Sequence, residues 1–321
     1  MKKYLIFFLL SVVGLTSCND GTHYTNRAEA IAAQINDPNS EYVVVTVHRG
    51  DWRNFPENSM SAIESIIKMG ADIMELDIKM TKDSVLVLSH DSDVLRCTNF
   101  KRVFKDQADK SPKIRDLTYD EIRQLSLNRA HGVTIDTMRM PTLRQALRCC
   151  KDRICVNVDH GYDYYDRVLA ISEELGVTNQ LLIKGKKSIE VVASFEARHK
   201  HNMMYMPIVD IQKKKGIELF NSYLDNGVVP VAYEVCWQNN DDNAFGDACR
   251  KIISQGSKIW VNTIWASLCG GEGNDDDAAF MAEDPGTVYR QYIDKGVSMI
   301  QTDRPELLIG WLEKIGRHTL K

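Results

Sequence analysis

The 321-residue sequence lacks a basic excess and any Cys-x-x-Cys pair, and its apolar runs are short. Its 40 Lys and Arg residues face 44 Asp and Glu residues, so a surface that tracks a nucleic-acid backbone is not expected. The apolar run over residues 4–15 is too short to cross a bilayer as a helix. Eight cysteines without paired spacing predict neither a disulfide framework nor a structural zinc site. The remaining composition, with 44% hydrophobic residues, is typical of a globular, enzyme-sized protein.

The amino terminus has the pattern of a targeting segment. Two lysines precede the apolar run, and residues 15–18 read Leu-Thr-Ser-Cys, which resembles a bacterial lipobox. We predict a lipoprotein signal peptide over residues 1–17, lipid attachment at Cys18, and a polar tether over residues 18–40 in which residues 28–35 could form a short helix. The alternative is an ordinary secretory signal. The lipobox predicts an exported bacterial lipoprotein, anchored to a membrane and facing the periplasm or the cell surface.

Short stretches rich in Val and Ile alternate with segments of helical period, the pattern of βα units around a parallel sheet. The pattern predicts an α/β fold of the (β/α)8, or TIM-barrel, class in one domain over residues 41–318. The strand candidates are residues 42–47, 73–78, 85–89, 154–158, 181–183, 203–209, 228–235, 258–262 and 297–301. The helix candidates are residues 60–68, 143–149, 164–174, 189–198, 216–224, 244–254 and 287–294.

Nine strand candidates are one more than such a barrel holds. Only six residues separate the second candidate from the third, too few for a parallel crossover, so residues 85–89 must return antiparallel on the second strand. A two-residue turn at residues 83–84 would place Asp77 directly opposite His90. The sequence therefore predicts a β-hairpin extension after strand two.

Polar residues occur where the predicted strands end, which is the catalytic face of a barrel. Glu75 and Asp77 stand two apart on a strand and therefore share a face, within an otherwise apolar run. Such carboxylates are costly to bury unless a cation neutralises them, and their hard oxygen ligands suit one Ca²⁺ or Mg²⁺ ion. The alternative is a pair of carboxylates salt-bridged to lysines on a solvated edge. Histidines at positions 48 and 90 could move protons, and Arg49 could hold phosphate oxygens, so the set suits phosphodiester chemistry.

The order and spacing of short motifs resemble the glycerophosphodiester phosphodiesterase family, whose members are TIM barrels of the phospholipase-C-like phosphodiesterase type. The resemblance spans about residues 44–312, and the lipobox makes this chain similar to a bacterial lipoprotein member. The matching motifs are His48-Arg49-Gly50, Pro56-Glu57-Asn58-Ser59, residues 70–78 with Thr81-Lys82-Asp83, His90-Asp91, Leu95-Arg96-Cys97-Thr98, Pro141-Thr142-Leu143 and Thr302-Asp303-Arg304-Pro305.

The resemblance implies metal-dependent hydrolysis of glycerophosphodiesters to glycerol 3-phosphate and an alcohol. In the family's mechanism the glycerol 2-hydroxyl attacks phosphorus and expels the alcohol, and water then opens the cyclic phosphate. Carried over position by position, Glu75 and Asp77 would ligate one divalent cation, Ca²⁺ or Mg²⁺. His48 and His90 would act as general acid and base, and Arg49 would hold the phosphate. Which histidine acts first, and which metal is used, are left open.

The chain departs from the family's Glu-x-Lys motif, since it has Asp-His-Gly at residues 159–161. Asp159 is the expected third metal ligand, but it is one methylene shorter than glutamate and would sit differently or reach the ion through water. Lys184, at the end of the next strand, could replace the missing lysine and bind substrate; the alternative is a solvent-facing lysine. Glu234 and Trp265 could also bind substrate, or could be packed residues of the barrel mouth.

Two other functions stay open. A related phospholipase, such as a lysophospholipase D or a phosphoinositide-cleaving enzyme, would suit a lipid-anchored protein, although the sequence has no evident apolar helix for an intact diacyl lipid. A barrel that has lost catalysis and only binds phosphorylated ligands would suit the missing lysine. An enzyme is favoured by the intact histidines, arginine and Glu-x-Asp pair. Its expected partner is a small-molecule phosphodiester substrate, and nucleic acid is not expected as a partner. No protein partner can be predicted.

Overall fold

The computed structural model describes residues 24–130, 132–198, 204–237, 242–265 and 273–320. The strands are β1 (Val44–His48), β2 (Ile73–Met80), β3 (Leu86–Leu88), β4 (Ser126–Asn128), β5 (Thr134–Arg139), β6 (Cys155–Asp159), β7 (Leu181–Gly185), β8 (Met204–Asp210), β9 (Ala232–Cys236), β10 (Lys258–Asn262) and β11 (Met299–Thr302). The α-helices are α1 (Arg27–Asn36), α2 (Met60–Met69), α3 (Phe100–Val103), α4 (Tyr119–Ile122), α5 (Leu143–Cys150), α6 (Tyr165–Leu175), α7 (Ile189–Arg198), α8 (Lys214–Asp225), α9 (Asp242–Gln255), α10 (Asp275–Met281), α11 (Gly286–Ile293) and α12 (Pro305–Lys314). None of the helices in these ranges is long and apolar enough to cross a membrane. The predicted signal peptide and Cys18 lie outside the described residues.

Eight of the described strands form a closed parallel barrel, which confirms the predicted (β/α)8 fold. Strands β1, β2 and β6 to β11 pair in chain order, and β1 pairs with both β2 and β11. Most barrel-strand residues are buried, as expected for a parallel sheet covered by helices. The register brings strand ends level, since His48 pairs with Glu75 and Asp77 pairs with Asp159. The polar residues at these ends therefore lie on one face of the barrel.

The predicted hairpin of β2 and β3 forms, but its register differs by one residue. Asp77 lies opposite Ser89, whose backbone N–H donates to the Asp77 carbonyl at 3.0 Å. The turn holds three residues, 82–84, and the last of them, Ser84, has a φ of 67°. The prediction that Asp77 faces His90 is therefore wrong. A three-residue turn that ends in a left-handed residue shifts the pairing by one, and Asp-Ser does not distinguish it from a two-residue turn.

Between β3 and α5 the chain forms an insertion that the sequence patterns did not predict. Residues 90–141 contain α3, α4 and the antiparallel pair of β4 and β5. They bury a small apolar core of their own, which includes Val94, Phe100 and Leu125. Because this core is separate from that of the barrel, the insertion can vary in sequence without repacking the barrel.

The segment predicted as a tether contains part of the fold. Helix α1 buries Ile31 and Ile35 in the main core, and at its start Arg27 donates to the buried carboxylate of Asp72 at 3.0 Å. The tether prediction is therefore corrected for residues 27–36, which pack onto the barrel. Their apolar residues recur at helical spacing, which was the available signal.

Candidate active site

Three carboxylates meet at the carboxyl ends of β2 and β6. Glu75, Asp77 and Asp159 each place an oxygen within 4.8 Å of the other two. Glu75 and Asp77 are buried, and 28% of the Asp159 side chain is exposed. The first two share a face because they stand two apart on β2, and Asp159 pairs in register with Asp77. The structure thus brings together the three residues predicted as metal ligands.

Two donors from the segment after β1 hold the buried carboxylates. The backbone N–H of Arg49 donates to Glu75 Oε2 at 3.0 Å, and the side-chain amide of Asn58 donates to Asp77 Oδ2 at 2.9 Å. Arg49 and Asn58 both have a φ of 55°, in the left-handed region that non-glycine residues rarely adopt. Sequence reasoning gave Asn58 no role, although the Pro-Glu-Asn-Ser motif contained the signal. It is a positioning residue for Asp77.

The carboxylate cluster fits a hard divalent cation. Burial raises the pKa of Glu75 to about 7, and the charges of Asp77 and Asp159 add to this effect, while His48 and Lys184 oppose it. A ligand set made only of carboxylate oxygens suits Ca²⁺ or Mg²⁺ better than a metal that prefers nitrogen or sulfur. The donor set therefore agrees with the single cation expected from the sequence.

His48 is buried at the end of β1 and is held by Asp303. The Nδ1 atom of His48 lies 3.1 Å from Asp303 Oδ1, which also accepts the indole N–H of Trp52 at 2.7 Å. Burial lowers the pKa of His48, but the hydrogen bond to Asp303 and the charge of Glu75 outweigh burial and raise it overall. The ring of Trp265 meets the imidazole edge-on, with centroids 5.3 Å apart. Since Asp303 engages Nδ1, Nε2 is the nitrogen left for proton transfer.

The segment that carries Asp303 is fixed by Asp276. The buried Asp276 carboxylate accepts the backbone N–H of Asp303 at 2.6 Å. It also accepts three hydroxyl groups at 2.8–2.9 Å, from Thr263, Tyr289 and Thr302. Burial raises the pKa of Asp276 to about 6. Sequence reasoning quoted the motif that contains Asp303 but missed its role, and no motif pointed to Asp276.

His90 lies at the rim of the site, with 47% of its side chain exposed. Its Nδ1 atom bonds to Asp91 at 2.8 Å. Asp91 pairs with Arg96, which holds the pKa of Asp91 at about 2. Arg96 also forms a two-pronged ion pair with Glu57, at 2.6 and 2.9 Å. The orientation of His90 is therefore set by charged neighbours on the loops, and not by the hairpin.

Arg49 is held between Glu57 and Asp77. Its Nη1 atom lies 3.3 Å from Glu57 Oε1, and its Nε lies 3.5 Å from Asp77 Oδ2. Only 12% of the side chain is exposed, and the Nε–H is buried without a hydrogen-bond partner among the described residues. A buried donor that makes no hydrogen bond is suited to an anionic oxygen. This geometry fits the phosphate contact predicted for Arg49.

Lys184 is buried, so the alternative of a solvent-facing lysine is wrong. Its Nζ atom lies 3.2 Å from Glu234 Oε2, and 7% of each side chain is exposed. Burial lowers the pKa of Lys184, but the charges of Glu234, Asp159 and Glu75 raise it above its ordinary value. Lys184 thus places a permanent positive charge close to the carboxylate cluster.

Glu234 is engaged by protein groups on two sides. Besides Lys184, it accepts the side-chain amide of Asn262 at 2.9 Å. At the position of the family's lysine, a Cβ on Gly161 would lie 3.3 Å from Ile183 Cδ1, so the glycine is closely packed. Glu234 and Lys184, both predicted to bind substrate, form an ion pair with each other inside the barrel.

Comparison with known proteins agrees with this geometry. Residues 48–196 match the sequence profile of the glycerophosphoryl diester phosphodiesterase family, and this span contains His48, Arg49 and the carboxylate cluster. This part of the chain is therefore similar to the glycerophosphoryl diester phosphodiesterase family. Residues 205–312 match a second profile, described as a domain of unknown function. The residues that match the first profile thus supply the carboxylates, and those that match the second supply Glu234 and Asp303 to the same barrel.

Curated relatives match this chain over about a third of its length. The glycerophosphodiester phosphodiesterase of Caldanaerobacter subterraneus subsp. tengcongensis is 34% identical over 117 residues, which are 36% of this chain and 44% of that protein. Glycerophosphodiester phosphodiesterase 1 of Rattus norvegicus is 36% identical over 123 residues, 38% of this chain and 33% of that protein. The chain therefore spans less than half the length of these two relatives.

Solved structures share the fold over most of the chain. A glycerophosphoryl diester phosphodiesterase from Parabacteroides distasonis aligns with a TM-score of 0.69 and 21% identity, covering 91% of this chain and 93% of that one. A phosphodiesterase from Oleispira antarctica, in complex with the product sn-glycerol-3-phosphate, aligns with a TM-score of 0.57 and 17% identity, covering 84% and 96%. Both likenesses support the barrel architecture.

Proposed function

We propose that this protein is an enzyme that hydrolyses glycerophosphodiesters to glycerol 3-phosphate and an alcohol. The observation that carries the proposal is the grouping of His48, Arg49 and three carboxylates at one end of the barrel, within the residues that match the family. The product held by the Oleispira antarctica neighbour supports the same product here. A binding protein without catalysis would not need a histidine held by a carboxylate beside such a cluster.

We further propose that Glu75, Asp77 and Asp159 hold one divalent cation, Ca²⁺ or Mg²⁺. When bound, the cation would neutralise the cluster and stabilise negative charge on the phosphoryl oxygens. Arg49 would bind a phosphoryl oxygen through its Nε–H, which makes no hydrogen bond to the described residues. Lys184 would add positive charge from the barrel interior.

The two histidines would transfer the protons of a two-step reaction. One accepts the proton of the glycerol 2-hydroxyl as that oxygen attacks phosphorus, and the other protonates the departing alcohol. Their roles exchange when water opens the cyclic phosphate. Asp303 would keep the His48 ring oriented, and the Asp91–Arg96 pair would do the same for His90.

Identifying which of the two phosphoester bonds is cleaved tests the proposed reaction. Phosphorus NMR of glycerophosphoglycerol, glycerophosphoinositol and glycerophosphocholine reactions should show glycerol 3-phosphate as the final phosphorus product, with a cyclic glycerophosphate before it. Release of a phosphorylated head group, with free glycerol, would contradict the proposal.

Lys184→Met is expected to lower turnover about 100-fold, because it removes a buried charge next to the site. Lys186→Met, which changes an exposed lysine on the same segment, should have no effect. Both rates are measured per folded enzyme, with circular dichroism as the check on folding. Activity near wild type in a folded Lys184→Met protein would show that Lys184 does not replace the family's lysine.

We also propose that the chain is exported and anchored by lipid on Cys18, at the periplasmic side of a membrane or at the cell surface. The support is the lipobox-like sequence at residues 15–18. In bacteria that express the full chain, Cys18→Ala should move the protein from the membrane fraction to the soluble fraction, whereas Cys149→Ala should leave it at the membrane. Membrane retention of Cys18→Ala equal to that of the unchanged protein would contradict the anchor.

A further inference from the structure

A pocket of about 270 Å³ opens beside the proposed active site, between the loop after β1 and the insertion. The described residues that line it are Trp52, Arg53, Arg129, Ala130 and Val133. Its volume suits a small polar head group and is too small for an acyl chain together with one. None of the residues in this lining belongs to the carboxylate cluster, to His90 or to Arg49, so the proposed chemistry does not account for the pocket.

The pocket adjoins the reacting groups through shared hydrogen bonds. Trp52 donates its indole N–H to Asp303 Oδ1, the atom that also holds His48. The Nε–H of Arg53 donates to the Asp303 carbonyl at 2.9 Å. Arg129, on the insertion, donates to the Arg53 carbonyl at 3.2 Å. Trp52, in the wall of the pocket, is therefore linked to the His48 ring through a single atom, Asp303 Oδ1.

The lining is positively charged, although the whole chain carries a net charge of −4. Among the described residues, the lining contains two guanidinium groups and no carboxylate. Arg53 has one acidic neighbour at 3.4 Å, Asp277, whose side chain is 59% exposed, so solvent weakens that pair. Arg129 is exposed and forms no ion pair within the part of the chain that the structure describes. Its charge is therefore available to a ligand.

The apolar part of the lining has a complementary character. The Arg53 guanidinium lies 4.9 Å from the centroid of the Trp52 ring, and the side chain of Val133 is left exposed, with 61% of the residue accessible. An indole face and a valine contact the carbon skeleton of a polyol, while guanidinium groups bind phosphate or carboxylate oxygens. The pocket thus combines the contacts that a charged polyol requires.

We propose that this pocket binds the departing alcohol and selects glycerophosphodiesters whose alcohol carries its own negative charge, such as a phosphorylated polyol. The inference rests on the proposed function and adds the substrate class to it. Cationic alcohols such as choline are disfavoured, because two positive groups face them and the described lining residues offer the ammonium group neither a carboxylate nor an aromatic cage.

The test compares kcat/KM for an anionic substrate, glycerophosphoinositol 4-phosphate, with kcat/KM for the cationic glycerophosphocholine. The ratio should be at least 10 for the unchanged protein and should fall at least tenfold in Arg129→Glu. Arg115→Glu is the matched control, since it reverses a 74%-exposed arginine elsewhere in the insertion and should leave the ratio unchanged. A ratio taken on one preparation does not depend on the fraction of folded enzyme, so partial misfolding cannot imitate the result.

The outcomes distinguish a wrong pocket assignment from a wrong proposed function. Hydrolysis with an unchanged ratio in Arg129→Glu, or with a preference for the choline diester in the unchanged protein, overturns the pocket assignment and leaves the proposed function standing. Hydrolysis of neither diester, nor of glycerophosphoglycerol, overturns the proposed function and this inference with it. A selectivity that weakens as salt is raised from 0.05 to 0.5 M would support the electrostatic origin, because screening at those concentrations acts over roughly 5–15 Å.

Discussion

Glu75→Gln is expected to reduce hydrolysis at least about 1,000-fold while making the metal-free protein more stable. The loss follows because glutamine keeps the acceptor for the Arg49 backbone N–H but removes one buried charge from the proposed cation site. The gain in stability follows from the pKa of Glu75, which burial and the adjacent Asp77 raise to about 7 from 4.5.

The sign of the stability effect follows from proton binding. Between pH 4.5 and 7 the folded state keeps the Glu75 proton that the unfolded state has lost, so the metal-free protein loses stability as the pH rises through that window. Above pH 7 the folded protein carries the full cost of the buried Glu75 charge, and Glu75→Gln does not carry that cost. Urea unfolding of both proteins at pH 8 in chelator measures this difference in the free energy of unfolding.

Glu218→Gln, at a 62%-exposed position on α8, should change neither stability nor turnover. If Glu75→Gln were no more stable than the unchanged protein in chelator, it would be wrong that burial and the charge of Asp77 make the Glu75 carboxylate destabilising. If it also retained turnover, Glu75 would have no part in the reaction.

Asp303→Asn is expected to lower kcat by about 100- to 10,000-fold with a much smaller change in KM, since orienting carboxylates of catalytic histidines have effects of this size. Asp303 bonds to His48 Nδ1 and to Trp52, and the proposed reaction needs the imidazole in one orientation and tautomer. An asparagine can present its amide N–H where the carboxylate oxygen accepted, which favours the wrong tautomer.

The matched control for Asp303 is Asp294→Asn, which changes an exposed aspartate at the end of α11. It should keep full activity. Because the pKa of His48 is raised partly by Asp303, the imidazole of Asp303→Asn should titrate at lower pH in NMR spectra. An unchanged kcat together with an unchanged titration would show that Asp303 does not position His48.

The barrel and the Glu75–Asp77 pair could be predicted because they depend on local periodicity. Apolar runs mark strands, and two carboxylates two residues apart on a strand must share a face. Asp159 is expected as the third ligand from the family resemblance, and the structure pairs it in register with Asp77. The predicted register of the hairpin was wrong because it depends on one backbone torsion, at Ser84, and the residue type does not fix that torsion.

The groups that orient the candidate catalytic residues could not be predicted in the same way. Asp276 acts on Asp303 across 27 residues, and Arg96 reaches Glu57 across 39 residues. No periodicity connects such positions, since they meet only after the loops pack on the barrel mouth. Motif spacing located Asn58, Arg96 and Asp303 on the chain, and only the packed structure gives their partners.

The most direct test of the proposed activity is the release of glycerol 3-phosphate from glycerophosphodiesters by the purified chain from residue 19 onward. It should be measured with Ca²⁺, with Mg²⁺ and with chelator, alongside His48→Ala. The account predicts turnover that requires a divalent cation and is lost in His48→Ala. Equal turnover in chelator, or no glycerol 3-phosphate from any diester by a folded protein that binds metal, would contradict it.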